Sequence, residues 1–134
     1  MIESMRGKSV VITGASRGIG LGIARGFAAA GANLTLIALE EPIVAKAAEL
    51  GATGFAADIR DGEAVSKALA TVTHIDVLIN NAGLELITPL ADGGVEVEDA
   101  FRRIIEINVI GTQIVTRRAV PKMARGGCII NTAS

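Results

Sequence analysis

The sequence predicts an α/β domain built on a doubly wound parallel sheet of about five strands. Three observations carry that prediction. Short apolar runs rich in Val and Ile alternate with helical patterns along the whole chain. The runs are apolar throughout rather than at every second residue, which is what a strand buried on both faces requires. With 134 residues, 50% of them apolar, the chain can bury a core as one domain without disulfide or metal staples.

The elements follow in order. Ser9–Thr13 (SVVIT), bounded by Gly7 and Gly14, is the first strand. A helical pattern then runs from Gly18, with Ile19, Ile23 and Phe27 spaced four apart on one face, to a stop at Gly31. Asn33–Leu39 is the second strand. Pro42 can open the next helix in its first turn and Gly51 can close it. Gly54–Ile59 is a weaker third strand, and Asp61 offers an N-cap to a helix that turns Val65, Ala68 and Leu69 inward. Ile75–Asn80 (IDVLIN) is the fourth strand. Residues 82–94 are loop-like. A long helical pattern covers about Val97 to Met123, with a kink or early stop expected at Pro121. Cys128–Asn131 (CIIN) is the fifth strand.

Composition removes several classes of function. A formal net charge of −1 leaves no broad electrostatic footprint for nucleic acid or an anionic membrane, so neither is expected as a partner. The single cysteine, Cys128, excludes an intramolecular disulfide and a multi-cysteine metal site, and the single histidine, His74, excludes a multi-histidine one. Cys128 is expected in the core and His74 in solvent. No charged, apolar leader opens the sequence, and glycines interrupt its most lipid-like stretch, Leu21–Leu39. A soluble, cytoplasmic protein is expected.

The chemistry is concentrated between the first strand and the first helix, in Thr13-Gly14-Ala15-Ser16-Arg17-Gly18-Ile19-Gly20. A bound phosphate needs backbone N–H groups aimed at it, at the positive end of a helix, with no side chain in the way. Gly14 permits the tight turn, Gly18 a close approach, and Gly20 the packing of helix on strand. A plain glycine turn is the bland alternative. Asn80, Asn81, Ala82 and Gly83 follow the carboxyl end of a buried strand, where open α/β sheets bind ligands; an Asn pair there could also merely cap backbone groups. Asp58 and Ile59 close the third strand, and Asp58 could equally be a turn residue capping the next helix. Asn108, amid Ile105, Ile107, Val109 and Ile110, is an unfavourable choice inside a helix unless its amide has partners.

The spacing TGxxxGxG, with Asp58, the run Asn80-Asn81-Ala82-Gly83, Asn108, and Asn131-Thr132-Ala133-Ser134 in that order, resembles the short-chain dehydrogenase/reductase family. The resemblance spans the whole chain. It implies a Rossmann-like, dinucleotide-binding domain over residues 1–134, with the cofactor held by Gly14, Ser16, Arg17, Gly18, Ile19, Gly20, Asp58, Ile59, Asn80, Ala82 and Gly83. It makes Ser134 the catalytic serine and Asn108 the active-site asparagine. The implied reaction is NAD(P)-dependent interconversion of a small secondary alcohol and a ketone, in a homo-oligomer, dimer or tetramer. The family's proton-transferring Tyr, with its Lys, is implied roughly a dozen residues beyond Ser134. This sequence contains no Tyr, so it is expected to be the cofactor-binding half of a longer enzyme and inactive alone. The alternative is a non-catalytic nucleotide-binding protein of naturally short length. For the cofactor, Ala38 stands where Asp would favour NAD, and Leu39 where Arg would favour NADP. Arg17 resembles the family's contact to a 2′-phosphate. Glu40 shares the strand parity of Ala38 and would oppose it. The balance is toward NADP, with NAD open.

Overall fold

The computed structural model describes residues 4–133; Ser134 lies outside the described residues. Five strands form one sheet in the order β3-β2-β1-β4-β5, every neighbouring pair parallel. The elements are β1 (Ser9–Thr13), α1 (Gly18–Ala29), β2 (Asn33–Ala38), α2 (Ile43–Glu49), β3 (Thr53–Ala56), α3 (Gly62–Leu69) and β4 (Ile75–Asn80). A long helical stretch follows as α4 (Val95–Ile105), a π-helical segment (Glu106–Gly111) and α5 (Thr112–Ala119), before a short 3₁₀ turn and β5 (Met123–Asn131).

The strands alternate their side chains between two cores, as the two-residue period demands. Val10, Ile12, Leu34 and Leu36 pack with Ala24 of α1 and Ile43 and Ala47 of α2 on one face. Val11, Ile37 and Leu78 pack with Val65 and Leu69 of α3 and Val115 and Ala119 of α5 on the other. Helices on both faces explain why β1 and β2 each carry an unbroken apolar run, Val10–Ile12 and Leu36–Ala38. Asp61 caps α3 as expected, its carboxylate accepting from the Glu63 and Ala64 N–H groups. Pro42 stands at the N-cap of α2, and the long helix gives way at Pro121. Among the described residues no helix is long and apolar enough to cross a membrane.

Three expectations are corrected. Of the expected face of α1, Ile23 and Phe27 pack half-buried against the core beside the buried Gly20 and Ala24, but Ile19 is 69% exposed. Cys128 is exposed, because β5 is the edge strand and its side chains are uncovered. β5 also begins earlier than Cys128: Met123 pairs with Ile75, then the register slips so that Cys128 pairs with Val77. Gly126, at φ +88°, supplies the left-handed residue within that irregularity.

Candidate dinucleotide site

The strand order reverses between β1 and β4, so the chain leaves β1 toward one face of the sheet and β4 toward the other. That divergence opens a crevice at the carboxyl ends of the strands. The glycine loop, residues 14–17, forms one wall and residues 81–84 the other.

The two walls are bonded together. The buried Thr13 hydroxyl accepts from the backbone N–H groups of Asn81 and Ala82, each at 3.1 Å. The Asn81 amide donates to the Gly14 carbonyl at 3.2 Å, and its oxygen accepts from the Thr132 hydroxyl at 3.1 Å. At Gly14, where φ is +65°, an added Cβ would stand 2.7 Å from the Ala82 Cα. At Gly20 it would collide with the Gly14 carbonyl and come within 2.6 Å of the Asn81 amide nitrogen. Both positions must be glycine for the walls to meet. Gly18 is different. Its φ is +54° and a Cβ there would meet nothing within 4 Å, so the loop presents bare backbone to open space at the start of α1. A phosphate group fits such a place, a helix N-terminus with open space at Gly18 and no Cβ to fill it.

Asn80 is buried and bonds side chains rather than the backbone. Its amide donates to Thr116 at 3.0 Å and to Asn131 at 2.9 Å, tying β4 to α5 and β5. Asn108 sits in the π-helical segment and finds the partners its position demands: it accepts from the Leu84 N–H at 2.7 Å and donates to the Leu84 carbonyl at 2.9 Å. A single amide thus ties the chain just beyond Gly83 to the π-helical segment. Residues 80–85, Asn108, Thr116 and residues 131–133 border a cleft of about 900 Å³ beside the crevice.

β3 ends at Ala56, so Asp58 and Ile59 follow the strand rather than close it, and Asp58 is not the cap of α3; Asp61 is. The Asp58 carboxylate takes the Arg60 backbone N–H at 2.9 Å and the Arg60 guanidinium at 2.6 Å. That guanidinium holds the Asp58 carboxyl below the usual carboxylate range, against a smaller opposing effect of burial. Ile59 is buried, with Gly111 packed closely over it, so only its backbone faces the sheet's end.

Ser16 brings in Glu40 by another route than strand parity, and Lys46, which the sequence does not single out. Its hydroxyl donates to Glu40 at 3.2 Å, and Lys46 of α2 donates to its carbonyl at 2.6 Å. The strand-parity argument for Glu40 fails, since β2 ends at Ala38; Glu40 reaches the loop through a bend instead. The structure therefore gathers Gly14, Ser16, Arg17, Gly18, Ile19, Gly20, Asn80, Ala82 and Gly83 at one crevice, with Asp58 and Ile59 farther along the same edge. Thr13 was missed because it read as the last residue of a strand, although it stood inside the quoted pattern. Lys46 carries no signal in the sequence beyond its charge.

Comparison with known proteins agrees with this geometry. The family model for short chain dehydrogenases matches residues 8–134. Oxidoreductase UcpA of Salmonella typhimurium is 41% identical over 130 residues, covering 90% of this chain and 48% of the relative. A short-chain dehydrogenase/reductase (glucose/ribitol dehydrogenase) from Brucella melitensis superposes with a TM-score of 0.91 at 32% identity, over 100% of this chain and 59% of that one. A blue fluorescent protein from a metagenomic library, solved with NADPH, gives a TM-score of 0.86 at 33% identity, over 98% and 57%. The chain spans about half the length of the curated relatives it matches. The wall-to-wall packing of Gly14 and Gly20, the Asn80–Gly83 run and the match along residues 8–134 agree: the chain belongs to the short-chain dehydrogenase/reductase family.

Proposed function

We propose that this chain is the nicotinamide-dinucleotide-binding part of an oxidoreductase that interconverts a secondary alcohol and a ketone. The observation that carries the reading is the glycine loop, in which Gly14 and Gly20 are filled by the opposite wall while Gly18 stays open. When bound, the nicotinamide supplies the hydride acceptor or donor. The chain's own residues do the rest. The loop N–H groups at the start of α1 hold the pyrophosphate. Asp58 takes the adenine end, and residues 80–83 line the path toward the nicotinamide. Asn108 fixes Leu84, and with it the wall of the cleft where substrate would lie. Ser134 orients the substrate oxygen. Residues 1–134 contain no tyrosine, so the group that exchanges the substrate proton in this reading is not among them. The reading places the protein in the cytoplasm as a homo-oligomer. The cofactor is NAD or NADP: NADPH in a solved neighbour and the exposed Arg17 support the second.

Replacing Gly18 with Val tests the loop. It puts two methyl groups where the pyrophosphate approaches. Titration of NADH and NADPH, followed by their own fluorescence in a protein without tryptophan, should show binding weakened about tenfold or more. Far-UV circular dichroism should be unchanged. Equal affinity in Gly18→Val and wild type would mean that phosphate binds elsewhere.

A further inference from the structure

β5 ends at Asn131, and the next residue, Thr132, meets the end of β4 with two groups. Its backbone N–H donates to the Asn80 carbonyl at 2.9 Å, continuing the β4–β5 ladder by one rung. Its hydroxyl donates to the Asn81 side-chain oxygen at 3.1 Å. These two bonds lead to different parts of the molecule. Asn80 is buried and its amide is tied to Thr116 of α5 and to Asn131, so the first bond ends in the core. The Asn81 amide nitrogen donates to the Gly14 carbonyl at 3.2 Å and lies under Gly20, where a Cβ would come within 2.6 Å of it. The second bond therefore ends at the glycine loop. A side-chain amide shares the resonance of a peptide group and is planar, so its N–H and C=O directions are not independent. Turning the Asn81 nitrogen toward Gly14 turns its oxygen toward Thr132.

Resting on the reading of this loop as a dinucleotide site, we propose that Thr132 is a positioning residue that couples occupancy of the glycine loop to the order of the chain just beyond β5, two residues before Ser134. The coupled element is the Asn81 amide. It has an engaged setting, bonded to both Gly14 and Thr132, and a turned setting in which both bonds are lost together. The Thr132 hydroxyl is exposed just past a strand end, where water competes for it and the bond opens readily. A pyrophosphate on the N–H groups of the loop restrains the Gly14 peptide and so favours the engaged setting. The Asn80 bonds run to the core and do not depend on the loop, so they hold β5 in place in either setting. The effect is confined to the residues past the ladder, which are the ones that lead to Ser134.

The test is amide hydrogen exchange of the 134-residue chain, read at single residues by mass spectrometry, with ADP as the probe. ADP carries the adenosine and the pyrophosphate but has no nicotinamide to touch the end of β5. Saturating ADP should slow exchange of the loop amides and slow that of Thr132 about threefold. Thr132→Val keeps the shape and the backbone donor but removes the hydroxyl. In that variant ADP should still protect the loop and leave exchange at residue 132 unchanged. Thr132→Ser returns the hydroxyl and should return the slowing. A hydroxyl with a purely structural role would alter exchange at residue 132 equally with and without ADP, leaving the ADP-induced ratio of Thr132→Val at the wild-type value. That result, or a wild-type loop protected by ADP with no slowing at Thr132, overturns the coupling and leaves the dinucleotide site standing. Absence of ADP protection throughout the wild-type loop overturns both.

Discussion

The Thr13 hydroxyl ties two backbone groups of one crevice wall to the other. It accepts the N–H groups of Asn81 and Ala82. Valine has nearly the same shape but no acceptor, so Thr13→Val leaves two part-buried donors without partners. Urea unfolding should show a loss of about 2 kcal/mol. Thr13→Ser keeps the acceptor and should lose about 1 kcal/mol or less, chiefly from the missing methyl. Equal losses in the two variants would show that the hydroxyl contributes nothing. At this scale the sequence disclosed what depends on backbone freedom: Gly14, Gly18 and Gly20 declare themselves because few other residues tolerate such positions. It hid what depends on partners. Glu40 stands out only through a strand parity that the bend after Ala38 breaks, and Lys46 is an ordinary surface charge until α2 brings it to Ser16; nothing in local periodicity reports a bend.

Between elements, β1 and β4 are joined at both ends. Opposite the crevice, the Asp76 carboxylate accepts from the Ser9 N–H at 2.8 Å, with His74 at 3.2 Å and Lys8 at 3.9 Å. The Ser9 hydrogen bond, helped by Lys8 and His74 against a smaller effect of desolvation, holds the Asp76 carboxyl below its usual range. A lowered folded-state pKa gives stability that is present above the unfolded value of about 3.9 and is lost as pH falls through the folded value. Wild type should therefore melt above Asp76→Asn at neutral pH. The two melting curves should converge on acidification below pH ~4, once both states carry a protonated Asp76. Melting temperatures that stay parallel to pH 2 would show that the carboxylate is not coupled to folding. The strands themselves were legible, because runs such as Val10–Ile12 and Leu34–Ile37 must satisfy two cores at once. The π-helical segment was not: Asn108 announced a need for partners, but only the fold identifies Leu84 as the partner. The start of β5 was equally hidden, since the Met123 pairing and the slip near Gly126 interrupt any two-residue pattern.

Across the whole molecule, apolar surface is distributed unevenly. Phe101, Val109 and Ile110 are about half exposed on the long helix, and Ile129 and Ile130 of the edge strand are 40% and 45% exposed. A groove of about 880 Å³ between residues 88–93 and α4 adds Leu90, Val97 and Ile105 to the same apolar character. Surfaces of this kind, beside an unpaired strand edge, favour association. The 134-residue chain should elute from a sizing column as a self-associated species at micromolar concentration, its mass read by light scattering. A sharp monomer would show that these faces are tolerated in water. The strand order has one more effect, on the sequence of events as the chain folds. β1, α1 and β2 form from near neighbours, but β1 meets β4 only when residues 68 apart, Thr13 and Asn81, are brought together. Closing so long a loop comes late and slowly relative to local contacts. The glycine loop can therefore take shape early while its opposite wall is still missing, and a dinucleotide would find its crevice only on the finished molecule. Binding would then draw the population toward that finished state and away from partly folded ones, making the ligand a selector of completed chains.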